Sequence, residues 1–399
     1  MKHSPILISG AGIAGPTLAY WLTRYGLSVT VVERAKDLRL GGQSVDVRGA
    51  GRAVCRRMGI EDEIRAANTG EKGLRFVDAA GATVAKFAVV KSESRGFTAE
   101  LEILRGDLAK ILYERSRDST EYIFGDSIVE LVNEDDGVTV RFQSGTVRKF
   151  SLVIIADGIR SKTRDLVFAG ESNIRELGLY MAYLTIPRIP SDCDWAIWYN
   201  APGGRAALLR PDNAGTMRAS LSFLSSPDGY DQLDPYQQKL LLKDKFSDAG
   251  GCIPRILEAL DRSPEVYFDS VGQVKAPAWS KGRIALLGDA AYCASPISGM
   301  GTSLAFVGAY VLAGELAKCA DHREAFANYE KIVRPYVNKA QQLAPGIPRI
   351  AYPKTSVGIW FFNQVLRIAS SRSVGAIGRM MSKPKAERIT LPDYDAYIS

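Results

Sequence analysis

The sequence predicts an α/β protein: a Rossmann-like dinucleotide-binding domain, a second domain built on a mixed β-sheet, and C-terminal helices. Three observations predict it. The chain opens on a β-α-β pattern with Gly10-Ala11-Gly12-Ile13-Ala14-Gly15 between its first strand and helix. A continuous apolar run at 152–156 reads as a strand buried on both faces, and 283–287 reads as another buried strand. From about residue 174 the pattern changes to short strands parted by proline, glycine and aspartate turns.

In chain order, residues 6–9 read as a strand, 13–25 as a helix stopped at Gly26, and 28–33 as a second strand. A glycine-rich loop over 41–51 leads to a helix near 52–58, and 73–90 reads as a hairpin turning at Gly81. A helix is expected at 107–116 and further strands across 120–150. In the middle region strands are expected at 180–186, 195–199, 206–209 and 217–223, then helices at 237–246 and 254–260. A long helix should begin after Gly301, and 323–340 should be helical except near Pro335. A last apolar helix is expected over 356–369. The first domain then takes residues 1–72, 98–173 and 281–343. The second takes the 73–97 hairpin and 174–280, and 344–399 form a C-terminal helical segment.

Bulk features exclude several function classes. A length of 399 residues suits two closely packed domains. The net charge of +7 comes with no block of like charges and no nucleic-acid motif, so no nucleic-acid partner is expected. Cysteines at 55, 193, 252, 293 and 319 are odd in number, widely spaced and without C-x-x-C; a reducing cytoplasm is the expected location. No secretory leader is read at the N-terminus. No stretch reaches the length of a membrane span, so no membrane partner is expected. The two histidines are His3 at the terminus and His322 in an expected charged loop. They leave no material for a histidine triad, and no metal site is expected.

The glycines of the first motif have separate tasks. Gly10 permits a tight turn, Gly12 removes a Cβ that would block a pyrophosphate, and Gly15 lets helix and strand approach. Ala14 stands between them at the helix start, whose free N–H groups favour a phosphate. Glu33 ends the second strand, where an acid receives ribose hydroxyls, and Glu33 with Arg34 favours a ribose without a 2′-phosphate, hence FAD or NAD. Two distant motifs select FAD. Asp157-Gly158-Ile159-Arg160-Ser161 follows a buried strand, and Gly288-Asp289-Ala290-Ala291 is followed by Pro296 and Gly299-Met300-Gly301. An acid at a strand end can accept ribityl hydroxyls, and a helix starting at Gly301 can aim its positive end at the flavin pyrimidine edge. Taken singly, Asp157-Gly158 is also an ordinary turn and Asp289 an ordinary helix cap.

This order of motifs resembles the class A, p-hydroxybenzoate hydroxylase-like, flavin-dependent monooxygenases. Within them the sequence looks most like the tetracycline-inactivating monooxygenases, through Gly41-Gly42-Gln43-Ser44-Val45-Asp46, Glu102-Ile103-Leu104-Arg105-Gly106-Asp107-Leu108 and residues 288–316. The likeness is strongest in the cofactor segments and weak in the middle sheet. It implies FAD contacts from Asp46, Arg105 and Asp289, and a role for Arg39 in NADPH handling; Arg39 is as readable as a solvated surface arginine. It also implies NADPH or NADH as reductant, O2 as co-substrate, and hydroxylation of an aromatic or polyketide-like molecule through a flavin hydroperoxide. Tetracycline, another polyketide and a smaller phenol stay open as substrates. An oxidase, reductase or cyclase on the same scaffold is the alternative chemistry, and a nucleotide-binding regulator the non-enzymatic one. No catalytic acid or base is singled out, because the flavin carries the difficult chemistry. Trp195, Trp198, Tyr199 and Phe223 either stack on a substrate ring or are core. The last helix, with Trp360, Phe361 and Phe362, either caps the pocket or serves as a packing or dimer contact. Monomer and homodimer stay open.

Overall fold

The computed structural model describes residues 5–89, 100–171, 173–263, 266–371 and 389–398. His3, Val90 and the expected boundary at 97/98 lie outside the described residues.

The first domain is organised by a six-stranded sheet. Its order is Ser280–Lys281, Ile284–Leu286, Leu152–Ile155, Ile6–Ser9, Val29–Glu33, Glu121–Phe124. All neighbours run parallel except the short outermost pair. The central strands are β-branched and leucine-rich because helices cover both faces; Leu7, Ile8, Val31 and Ile154 are wholly buried. The helix Gly301–Lys318 is apolar on all sides. It buries residues 302–316 among the helices Ala14–Arg24, Gly49–Met58 and His322–Ala340. An antiparallel three-stranded sheet, Ile128–Asn133, Val138–Phe142 and Val147–Phe150, flanks this domain.

The second domain carries a seven-stranded sheet. Its order is Tyr267–Lys275, Asn173–Pro187, Thr216–Leu224, Arg205–Pro211, Ala196–Ala201, Gly73–Val77, Thr83–Ala88. The early hairpin joins by parallel pairing of Gly73–Val77 with Ala196–Ala201. One face packs on the helices Pro235–Phe246 and Ile253–Arg262, with Tyr180, Leu184, Tyr199, Leu221 and Phe223 in that core. The period of two puts Met181, Tyr183, Trp198, Arg210 and Ser222 on the opposite face.

Two expectations need correction, and the aromatic side chains left with two readings are now placed. The helix His322–Ala340 runs unbroken through Pro335. Pro335 and Lys331 are both exposed, so water replaces the one backbone bond the ring removes. His322 is not in a loop; it opens that helix and is buried. Tyr199 and Phe223 belong to the helix-backed core, and Phe223 stacks on Tyr180 and Phe268. Trp360 and Phe361 of the last helix, Ser356–Ser370, point outward at 61% and 64% exposure, while Phe362 packs against Phe76. The strand Tyr267–Lys275 and the helices Glu61–Ala66 and Lys162–Val167 are additions to the expected elements.

Candidate active site

The strand Ile6–Ser9 delivers the chain into the glycine loop. Gly10 has φ +106°, and a Cβ there would stand 2.7 Å from the Ala156 carbonyl oxygen. Gly15 is tighter still, because its Cβ would lie 1.9 Å from the Gly10 carbonyl oxygen. Gly12 is different. Its nearest neighbour among the described residues is the end of the Arg105 side chain, at 3.6 Å from a Cβ position. The protein itself has room for a methyl at Gly12, and the loop is open on that side. Glu33 clamps the loop: its carboxylate accepts from the N–H groups of Ala11 and Ala35, both at 2.9 Å, and pairs with exposed Arg39 at 3.3 Å. Arg34 is exposed at the strand end. Ala14 meets Gly288 of the third motif, where a Cβ would come within 3.1 Å of its methyl.

The other motif residues converge on this loop. Arg105 opens the helix Arg105–Ser116, and its N–H donates to the Gln43 carbonyl at 3.0 Å. Burial, then the Arg39 cation, lower the affinity of its guanidinium for its proton, while Asp289 and Glu33 oppose them. Asp289 begins the short helix Asp289–Tyr292, and its Oδ1 lies 3.9 Å from a Cβ position on Gly301. Asp46 ends the strand Ser44–Asp46, accepts from Arg48 at 2.8 Å, and faces Gly299 at 3.9 Å from a Cβ position. Pro296 starts the turn that Gly299 closes at φ +63°. The helix Gly301–Lys318 then begins with no side-chain cap on its first N–H groups, close to Asp289 and Asp46. Gly158 has φ +93° and no atom of the described residues within 4 Å of a Cβ position. Burial raises the Asp157 carboxyl, against hydrogen bonds from Ser161 and Thr163, and its buried Oδ1 has no partner among the described residues.

Desolvation by the surrounding protein raises the Asp289 carboxyl and the Tyr267 phenol, although both side chains reach solvent. The last helix and the segment carrying Tyr352 pack on part of the sheet face away from the helices Pro235–Phe246 and Ile253–Arg262. There the Trp198 indole N–H donates to Asn200 at 2.9 Å, Asn200 donates to the Ala351 carbonyl, and Ser222 donates to the Tyr352 hydroxyl at 3.1 Å. Arg210 donates to Glu71 at 2.8 Å and to Glu102 at 2.5 Å.

These features fit FAD. An unpartnered buried carboxylate oxygen suits a ribityl hydroxyl, the opening between Gly12 and Arg105 suits a pyrophosphate, and an uncapped 18-residue helix suits an electron-rich ring edge. A family model described as "FAD binding domain" matches residues 3–344. The flavin-dependent monooxygenase eupH of a Phoma species is 38% identical over 99% of this chain and 98% of its own length. A flavin-dependent monooxygenase of Legionella longbeachae is 37% identical over 99% of each chain.

The chain is a flavin-dependent monooxygenase of the FAD-binding-domain family.

The crystal structure of the tetracycline destructase Tet(55) superposes on this monooxygenase with a TM-score of 0.82 at 34% identity, covering 98% of this chain and 99% of that one. Bound FAD supplies hydride acceptance and oxygen activation; the protein supplies the cradle. The structure brings Gly10, Gly12, Ala14, Gly15, Glu33, Arg39, Arg105, Asp289, Gly299 and Gly301 into one neighbourhood, with Asp46 and Pro296 at its rim. Asp157 and Gly158 join it through Ala156, beside Gly10. Sequence reasoning missed Glu71, Glu102, Arg210, Tyr183, Tyr267 and Tyr352 of this monooxygenase. They belong to six separate segments, and no spacing links them; period-two alternation on the 205–211 and 173–187 strands was the one available signal. Replacing Arg105 with alanine is expected to weaken FAD binding about 10- to 100-fold, since a charge-assisted hydrogen bond is worth about 1.5–3 kcal/mol. Flavin fluorescence quenching on titration of the apoprotein measures this, and unchanged affinity would remove Arg105 from the cradle.

Proposed function

We propose that this monooxygenase uses NADPH or NADH and O2 to hydroxylate an aromatic or polyketide-like small molecule. The overall change is NAD(P)H, H+, O2 and substrate C–H giving NAD(P)+, water and substrate C–OH. The observation that carries this reading is the convergence of the three glycine-containing motifs on one loop, with Arg105, Asp289 and the unpartnered Asp157 oxygen around it, in a chain whose second sheet carries half-buried Trp198 and Tyr183 on the face away from its helices. That face offers ring surfaces for stacking and a few fixed polar groups for orientation, as sites for flat oxygenated ligands do.

The residues of this chain divide the work. Gly10, Gly12, Gly15, Glu33, Asp46, Arg105, Asp157 and Asp289 hold and orient FAD. The N-terminus of the Gly301–Lys318 helix stabilises negative charge at the ring edge. Half-buried Trp198, held edge to face by buried Tyr352 at 5.6 Å, supplies the apolar surface for substrate. Arg39, exposed beside the glycine loop, meets the nicotinamide cofactor transiently. Tetracyclines are the first substrates to try, since the destructase Tet(55) shares the fold along nearly the whole chain. All five cysteines are unpaired thiols, which supports a reducing, cytoplasmic setting.

The test is NAD(P)H consumption across a panel of tetracyclines, other polyketides and phenols, with mass spectrometry of the products. A substrate is expected to accelerate consumption and leave one oxygen atom heavier. Accelerated consumption with hydrogen peroxide as the sole product for every compound would overturn the hydroxylase reading.

A further inference from the structure

The helix Ser356–Ser370 has two unlike faces. Its inner face, with Phe362 and Leu366, packs on the 73–88 hairpin. Its outer face presents Val357 at 77%, Phe361 at 64% and Ile368 at 62% exposure, with Trp360 and Val365 on its flanks. Spacings of three, four and seven place these five on one side of the cylinder. Single exposed apolar side chains are ordinary, but five aligned on one helix are not.

The charge around this stripe is one-sided. Arg349, Lys354 and Arg367 are exposed next to it, and no acidic residue occurs from 349 to 371. By sequence, residues 349–388 hold eight of the chain's 51 Lys and Arg but one of its 44 Asp and Glu. That segment alone accounts for the net charge of +7, and the remainder of the chain is balanced. An apolar stripe carrying Trp and Phe, edged by cations, matches the interface of an anionic bilayer. It does not match a second copy, because a two-fold contact through this helix would bring Lys354 and Arg367 of both copies together.

We infer that the outer face of the Ser356–Ser370 helix docks reversibly on anionic lipid surfaces. No helix among the described residues is long and apolar enough to cross a membrane, so the protein lies on the surface rather than spanning it. The sequence expectation of no membrane partner rested on span length alone, which an interfacial helix does not need. Because the inner face of this helix packs on the second sheet, docking would set that sheet beside the bilayer, where apolar ring compounds concentrate.

The test is co-flotation of the full-length FAD-loaded protein with vesicles of phosphatidylcholine, with or without phosphatidylglycerol. Binding is expected to anionic vesicles only and to fall steeply as salt rises. The double substitution Trp360→Ser, Phe361→Ser is expected to weaken it by about tenfold or more, since it removes the two rings that docking would bury in the lipid. Lys354→Glu with Arg367→Glu should also abolish it, and retained yellow colour shows that each variant is folded. Absence of flotation at low salt would overturn the inference. So would a dimer in light scattering that the Trp360→Ser, Phe361→Ser double substitution converts to monomer while vesicles have no effect, because the stripe would then be a self-contact. Equal binding to both vesicle types would overturn the role of charge.

Discussion

Replacing Arg210 with methionine is expected to destabilise the protein by about 3–5 kcal/mol, more than any other single side-chain truncation at the site. Arg210 is drawn between two carboxylates, Glu71 and Glu102, whose side chains are each 1% exposed. Burial alone would push its guanidinium down, but Glu102 and Glu71 overcome that and hold it up. Without it, two acids from different segments would face each other in a low-dielectric wall. Truncating one partner leaves charges uncompensated, whereas removing all of them together is far milder. The triple variant Arg210→Met, Glu71→Gln, Glu102→Gln is therefore expected to recover most of the loss. Urea melts of the FAD-loaded proteins measure both, and a loss below about 1 kcal/mol in the single variant would show that the network is not strongly coupled.

The same network sets a pH dependence. Burial raises the Glu102 carboxyl to about 7; Arg210 opposes this, and Glu71 adds to it. In the unfolded chain Glu102 titrates near its ordinary value of 4.5. Between those values the folded state keeps a proton that the unfolded state has lost, so this group favours the folded state at low pH. Its contribution declines as pH rises from about 4.5 to about 7 and is flat above that. In the Glu102→Gln variant that decline should disappear.

The second large effect separates two glycines of one motif. Gly12→Ala is expected to fold normally and to be colourless, with FAD affinity lowered by at least about 100-fold, a change of about 2.7 kcal/mol. Its methyl meets no atom of the described residues closer than 3.6 Å, so the apoprotein tolerates it, yet it enters the gap between the loop and Arg105. Gly15→Ala is expected to fail earlier, in soluble yield, because its methyl would overlap the Gly10 carbonyl oxygen. Backbone meets backbone there, and no rotamer change relieves the contact. Circular dichroism and flavin content of the two purified variants make the comparison. A yellow Gly12→Ala protein would mean that the pyrophosphate does not pass over this loop.

The legible parts of the chain were those whose constraint is local. Gly10, Gly12 and Gly15 answer to a single turn, and the 152–155 strand announces itself as an unbroken apolar run. The strand Tyr267–Lys275 was hidden because its interior is polar. Gln273 is 1% exposed and donates to the carbonyls of Ala294 and Gln341, so its burial depends on partners distant in sequence. Trp198 and Tyr199 show a similar limit. Alternation says that they face opposite ways, but which one faces the core depends on where the helices Pro235–Phe246 and Ile253–Arg262 pack. Arg210, Glu71 and Glu102 meet only after both domains have formed.

The parallel pairing of residues 74–77 with 196–199 has a consequence for biosynthesis. The hairpin emerges from the ribosome long before its partner strand exists, and it spends that interval with an unsatisfied edge. Neither lobe can be cut out as a continuous piece of gene, since each borrows sequence from the other's stretch. Assembly is therefore a late event for the nascent chain, a delay that exposes strand edges to aggregation. Fragments ending anywhere before residue 196 should need chaperones to stay in solution.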